Sequence, residues 1–216
     1  MRSVDEWRVY VITDRSLSMG RSNEEVIRRA IAGGADVVQF RAKEGSTADV
    51  YREALRLRRV TRATDTPFII NDRVDVALAV DAEGVHLGQD DLPLTVARRI
   101  LGPNKMVGAS THSFEQALSA AREGAHYVSV GPVFPTRTKE AGPPVGIDLI
   151  RHIKGHVAVP VVAIGGIGSE NVAQVLQAGA DGVAVISAVV SAGDIEASVR
   201  ALRDKFEGVD TDRKGQ

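Results

Sequence analysis

The chain has 216 residues, 44% hydrophobic and 25% charged, with a formal net charge of −1 and no cysteine. That length suits one large domain able to bury a core without staples, and the lack of cysteine excludes disulfides, thiolate nucleophiles and Cys-ligated zinc. Near-zero charge gives no global attraction to nucleic acid or membrane, and no apolar run reaches the roughly 18 residues of a membrane span. The opening, MRSVDEWRVYVITD, has acidic residues where a secretory leader would be apolar, so a cytoplasmic protein is expected.

Short β-branched runs alternate with longer amphipathic stretches, and the pattern predicts strand then helix throughout. A strand over 8–13 ends in Thr13 and Asp14 and precedes a helix over 23–32. A second strand, 37–41, runs on through Ala42 and Lys43 to a helix over 47–63. The third, 67–71, ends Asn71-Asp72-Arg73 before a helix at 74–80. The fourth, 84–87, leads into Gly88-Gln89-Asp90-Asp91 and a helix at 94–101. The fifth, 106–110, ends Ser110-Thr111-His112 before a helix at 113–123. The sixth, 127–130, enters a long loop, 131–146, with four prolines, before a helix at 147–154. The seventh, 160–164, meets Gly165-Gly166 and a helix at 169–178; the eighth, 182–186, meets Ser187 and a helix at 195–206.

Alternating β and α units with apolar strands imply a parallel sheet covered on both faces. Eight units are the number that closes a single (β/α)8 TIM barrel, an α/β fold. The barrel is expected over 1–206 as the catalytic domain, with 207–216 a polar, frayed tail. Three related phrases, GADVVQF at Gly34, GAHYVSV at Gly124 and GADGVAV at Gly179, mark strand starts. Shared αβ-loop chemistry, with Gly ending a helix, explains them as well as repeat ancestry does.

In this fold the active site lies at the C-terminal ends of the strands, and nearly every predicted strand delivers polar or glycine chemistry there. Gln39, Arg41 and Lys43 are spaced by two, so an extended strand would put all three on one face. Such a row needs a ligand or counter-charges; internal pairing to Asp72 or Asp91 is the alternative to an anion site. Arg offers a planar fork to phosphate oxygens and Lys a point charge. Two carboxylates after adjacent strands, with phosphate oxygens and waters, suit Mg²⁺. Asp72 could instead cap a helix, and spacing leaves Asp90 and Asp91 equal. Gly165-Gly166 and Ile186-Ser187 stand where this fold commonly holds phosphate, although a tight turn also accounts for the glycines. The rim thus reads as two anion sites, one metal-assisted and one made of backbone. His86 is expected to pack structurally, His112 is a weak general-base candidate, and no Ser-His-Asp set is complete. His152 and His156 lie beyond the mouth.

These motifs, taken together and in order, resemble the thiamine-phosphate synthase family over about Val9 to Val190. The matching pieces are YVITD at Tyr10, QFRAK at Gln39, INDRVDVAL at Ile70, GVHLGQDD at Gly84, GAS at Gly108, GPVFPTRTK at Gly131, AIGGI at Ala163 and GVAVISA at Gly182. Related thiazole tautomerases typically lack the Gln-x-Arg-x-Lys row and the GQ-x-D carboxylate, both present here.

The resemblance implies a transferase that condenses a pyrimidine diphosphate with a thiazole phosphate, releasing pyrophosphate, with Mg²⁺ as cofactor. It implies that Gln39, Phe40, Arg41, Ala42, Lys43, Asn71, Ser110 and Lys139 form the pyrimidine-diphosphate side. Phe40 and Ala42 should face away and be replaceable. Arg41, Lys43, Ser110 and Lys139 are its catalytic groups. Thr136, Arg137, Thr138, Gly166, Ile186 and Ser187 form the thiazole-phosphate side, with Arg137 turned to solvent. Asp72 and Asp91 hold the metal, which resolves the Asp90 alternative. The loop 131–146 is expected to close as a lid, because water would trap the cation. The partners are small molecules, not nucleic acid or membrane, and a homo-oligomer is compatible with the sequence. A tautomerase and a non-catalytic thiazole-phosphate sensor are the competing readings.

Overall fold

The computed structural model describes residues 4–136 and 142–214. Eight parallel strands close into a barrel in sequential order: β1 (Val9–Ile12), β2 (Val37–Phe40), β3 (Phe68–Asn71), β4 (Gly84–Leu87), β5 (Met106–Thr111), β6 (Tyr127–Val130), β7 (Val161–Ile164) and β8 (Gly182–Val185). The last pairs with the first through Tyr10 and Ala184. Around them run α1 (Asn23–Ala32), α2 (Thr47–Ala63), α3 (Val74–Ala79), α4 (Leu94–Leu101), α5 (Phe114–Arg122), α6 (Ile147–Lys154), α7 (Val172–Gln177), α8 (Ser187–Val190) and α9 (Ile195–Lys214). This is the expected (β/α)8 barrel. Serine starts several helices: the Ser22, Ser46 and Ser113 hydroxyls each accept from the backbone N–H three residues on, filling an otherwise orphaned donor.

Three elements differ from the pattern. The helix expected from 169 begins at Val172, because Asn171 folds the preceding turn: its Oδ1 accepts from Gly168 N at 2.9 Å and its Nδ2 donates to Gly166 O at 2.8 Å. The one-turn α8 is too short to show a helical period. The last helix continues to Lys214, so the polar residues after Phe206, expected to fray, extend α9 through 207–214.

Strand alternation divides the buried residues into two sets. Val9, Val11, Val38, Phe40, Ile70, Val85, Leu87, Val107, Val128 and Val183 face the helices and form the large core. Trp7, Tyr10, Ile12, Val37, Ile69, Tyr127, Val162 and Ala184 fill the barrel interior. At its N-terminal end Trp7, Tyr10 and Tyr127 meet edge-to-face, with centroids 5.3–6.0 Å apart. Glycine makes room for this aromatic plug: a Cβ on Gly108 would lie 2.1 Å from Tyr127 Cζ. Gly108→Ala is therefore expected to cost about 1–3 kcal/mol through overpacking. At about 2–4 °C of Tm per kcal/mol in a domain this size, thermal melting should detect the loss. Tyr127→Leu in the same chain should give part of it back.

Candidate functional site

The strand ends surround a cavity of about 210 Å³ at the C-terminal mouth. Its wall carries Gln39, Arg41, Asn71 and Ser110 on one side, and Thr136, Gly166, Ile186 and Ser187 on the other. Thr136, Gly166, Ile167 and Ser187 also border a second hollow of about 750 Å³ beside α8 and α9. The structure thus brings residues expected of both anion sites to one mouth. Arg137, Thr138 and Lys139 lie outside the described residues, as does the middle of the loop expected to act as a lid.

The Gln-x-Arg-x-Lys row is not one extended row. β2 ends at Phe40, so the period of two stops there. Gln39 is buried inside the barrel, where its Nε2 donates to the Tyr10 hydroxyl at 2.7 Å. Arg41 lies at the rim, and Lys43 is exposed beyond it. Arg41 donates to Asp14 Oδ2 at 2.9 Å. Asp14 is thus a carboxylate partner that the spacing did not offer, beside the electrostatic pull of Arg41 and Lys43 on Asp72. Asp14 is fixed in turn by Ser16, whose backbone N–H and hydroxyl both donate to Oδ1. The strand-end rule places Asp14 after the first strand, but its pairing with Arg41 is not legible in the spacing. Phe40 faces the helices, as expected of its parity, but it is 1% exposed within the main core. It is therefore not replaceable: Phe40→Ala would cost about 3–5 kcal/mol. Ala42 is half-buried and packs against the same core.

Asp72 and Asp91 do converge. Asp72 has a φ of +62°, a left-handed conformation that Asp tolerates better than most residues. Its backbone N–H donates to His86 O at 2.9 Å. It caps no helix; Arg73 holds the cap position of α3 without a side-chain bond. The Asp72 carboxyl is pushed up to about 6, first by burial, then by hydrogen bonding to Asp91 and by the Asp91 charge; Lys43 and Arg41 oppose this. Asp91 Oδ2 accepts from Gly88 N at 2.7 Å. Asp90 is exposed. Two carboxyls close enough to share a proton, with cations nearby, are a donor set that fits a hard divalent ion. Among the described residues no group of three or more His, Cys, Asp or Glu could hold a metal, so other oxygen donors must complete the shell.

On the opposite wall, Gly165 and Gly166 have φ of +97° and +64°. A Cβ on Gly166 would lie 2.5 Å from Pro135 O. Both glycines are therefore demanded by backbone geometry and by the close approach of the loop after β6, whatever they bind. That loop is pinned to β7 by Val133 N to Ile164 O at 2.8 Å and by Phe134 N to Gly165 O at 3.1 Å. Ser187 opens α8 beside them.

His86 is 6% exposed and held on both sides, Nδ1 to the Tyr127 hydroxyl at 3.0 Å and Nε2 to Ser110 Oγ at 2.9 Å. Burial lowers it to about 4, against a smaller effect of Asp91, so it is neutral near pH 7. The ring packs structurally, as expected, but it also holds a residue of the cavity wall. His112 Nδ1 donates to Gly131 O at 2.6 Å. His152 and His156 meet the Phe114 ring on the outer surface, one tilted and one edge-on.

The family profile of thiamine monophosphate synthase matches residues 9–189. The chain belongs to the thiamine monophosphate synthase family. A thiamine-phosphate synthase of Chloroflexus aurantiacus is 56% identical over 199 residues, covering 92% of each chain. One from Methanoculleus marisnigri is 49% identical, covering 92% of this chain and 94% of its own. Among solved structures, a thiamine phosphate pyrophosphorylase from Pyrococcus furiosus superposes with a TM-score of 0.87 at 45% identity, covering 95% of this chain and 98% of that one. Members of the thiamine monophosphate synthase family as similar as these are transferases, and this chain is an enzyme of that type. No helix among the described residues is long and apolar enough to cross a membrane.

Proposed function

We propose that this chain joins a pyrimidine diphosphate to a thiazole phosphate, giving thiamine phosphate and pyrophosphate, with Mg²⁺ held by Asp72 and Asp91. The observation that carries this reading is a single mouth with two chemically different walls. One has Arg41 and Asn71, with the Asp72–Asp91 pair and Lys43 near Arg41; the other has Gly166 and Ser187 beside Thr136. A bound Mg²⁺ would neutralise charge on the diphosphate.

The reaction breaks the bond between the pyrimidine methylene carbon and the diphosphate oxygen, and pyrophosphate leaves with the electron pair. The thiazole nitrogen lone pair then forms the new C–N bond. That nitrogen carries no proton, so no general base is needed, in keeping with a neutral, doubly held His86 and with His112 tied to Gly131 O. Arg41 and Lys43 supply positive charge where the leaving group gains negative charge, and we assign Lys139 the same task. Gln39, Asn71 and Ser110 hold the pyrimidine; Ile186, with Thr136 to Thr138, borders the thiazole phosphate.

The test is product formation from both substrates with and without Mg²⁺. Thiamine phosphate and pyrophosphate in equal amounts, dependent on Mg²⁺, are expected. Turnover of a lone thiazole phosphate without metal would instead mark a tautomerase. A narrower test separates the walls. Gly166→Val would also displace the loop that carries Thr136, so Ser187→Ala is the cleaner change. Losing one hydrogen bond to a charged group, it should weaken thiazole-phosphate binding roughly 10- to 100-fold. Calorimetry should find pyrimidine-diphosphate binding unchanged.

A further inference from the structure

The barrel interior contains a chain of hydrogen bonds that the reaction does not use directly. Gln39 Nε2 donates to Tyr10 Oη at 2.7 Å; Tyr10 Oη lies 3.1 Å from Tyr127 Oη. Tyr127 Oη lies 3.0 Å from His86 Nδ1, and His86 Nε2 lies 2.9 Å from Ser110 Oγ and 3.3 Å from Ser129 Oγ. Both ends of this chain, Gln39 and Ser110, line the cavity, while both tyrosines are sealed inside the barrel.

We propose that Tyr10 and Tyr127 are positioning residues: with His86 they form a one-way hydrogen-bond chain that fixes Ser110 as a donor and Gln39 as an acceptor toward the cavity. The direction follows from counting protons. A tyrosine hydroxyl has one proton to give. Tyr10 Oη already accepts from Gln39, and its other partner among the described residues is Tyr127, so its proton goes there. Tyr127 must then give its proton to His86 Nδ1. A neutral imidazole with an accepting Nδ1 carries its proton on Nε2, which donates to Ser110 Oγ with Ser129 Oγ as a weaker second acceptor. The Ser110 proton is thereby released to turn into the cavity. At the other end, spending an amide N–H on Tyr10 leaves the Gln39 carbonyl for the cavity.

Burial makes the arrangement stiff, since a proton turned the wrong way would leave two facing donors or two facing acceptors in a low-dielectric interior. Gly108 contributes by giving the Tyr127 ring its place. A ligand must therefore offer an acceptor to Ser110 and a donor to Gln39, and the choice is set from behind the cavity by two sealed tyrosines.

This inference rests on the assignment of Gln39 and Ser110 to the pyrimidine wall, and its test has one arm independent of that assignment. In protein labelled with ¹⁵N-histidine, the ring nitrogens of His86 report the tautomer without substrate; His86→Gln identifies the signal. The parent should show the proton on Nε2. Tyr127→Phe keeps the ring, but it cannot donate to Nδ1, so the Nδ1–H tautomer should appear. Tyr10→Phe should leave the Nε2–H form in place, because Tyr127 still donates.

In turnover, Tyr127→Phe should raise KM for the pyrimidine diphosphate roughly 10-fold and leave KM for the thiazole phosphate unchanged. Combined with Ser110→Ala, it should add little, as expected of a residue acting through Ser110. A parent with the proton on Nδ1, a tautomer indifferent to Tyr127→Phe, or fully additive losses would each overturn the proposal. A parent that turns over neither substrate would overturn the functional reading, while the tautomer would still decide the direction of the chain.

Discussion

Replacing Asp72 or Asp91 by alanine should abolish most Mg²⁺-dependent turnover, and replacing Asp90 should leave it near the parent value. A metal that neutralises a departing diphosphate supplies several kcal/mol at the transition state, so loss of either ligand should lower kcat at least about 100-fold. Asp90 is exposed. Equal damage from Asp90→Ala and Asp91→Ala would displace the ligand assignment.

The same pair predicts a pH dependence that needs no turnover. Asp72 is raised from 3.8 to about 6 because burial and Asp91 disfavour its ionised form. For a carboxyl shifted upward, the protonated state favours folding. Its contribution is complete below the unfolded-state value and is lost as pH rises through about 6. Mg²⁺ favours the ionised pair, so its gain in Tm should be larger at about pH 7 than at about pH 5, where protons compete for the site. Asp72→Asn should remove most of that difference.

Arg41→Ala should lower kcat by roughly 10²–10³-fold, the loss of one preorganised group aimed at developing charge. KM should change less, because the group matters most once the diphosphate is leaving. Arg41→Lys should recover only part, since an ammonium cannot reproduce the guanidinium fork. The barrel should survive: Asp14, the partner at 2.9 Å, keeps its bonds from Ser16. Melting curves of the variant separate this from unfolding. Asp14→Asn should reduce turnover by less, because it loosens Arg41 without removing it.

What could be read in the sequence was local. Eight strands, and the limits of α1, α2, α4 and α6, follow from periodicity, and the strand-end rule placed Asn71, Ser110, Gly166 and Ser187 around one mouth and Asp72 close to Asp91. The helix α8 has four residues and no period to detect. Treating 37–41 as continuous strand placed Gln39 with Arg41 and Lys43; the early end of β2 separates them. The longest misses are contacts between residues far apart in the chain. Asp14 meets Arg41 across 27 positions, and Tyr10 meets Tyr127 across 117. A buried tyrosine at a strand start reads as plain core until its hydroxyl partner is known, so the chain behind Ser110 left no trace in spacing.

The stopper of Trp7, Tyr10 and Tyr127 also settles the traffic through this molecule. Among the described residues, rings fill that end and the cavity sits at the other. Both reactants and both products of the proposed reaction would then share that open end. A change at the sealed floor would be felt at the mouth only through the hydrogen-bonded chain that joins Tyr10 and Tyr127 to Gln39 and Ser110.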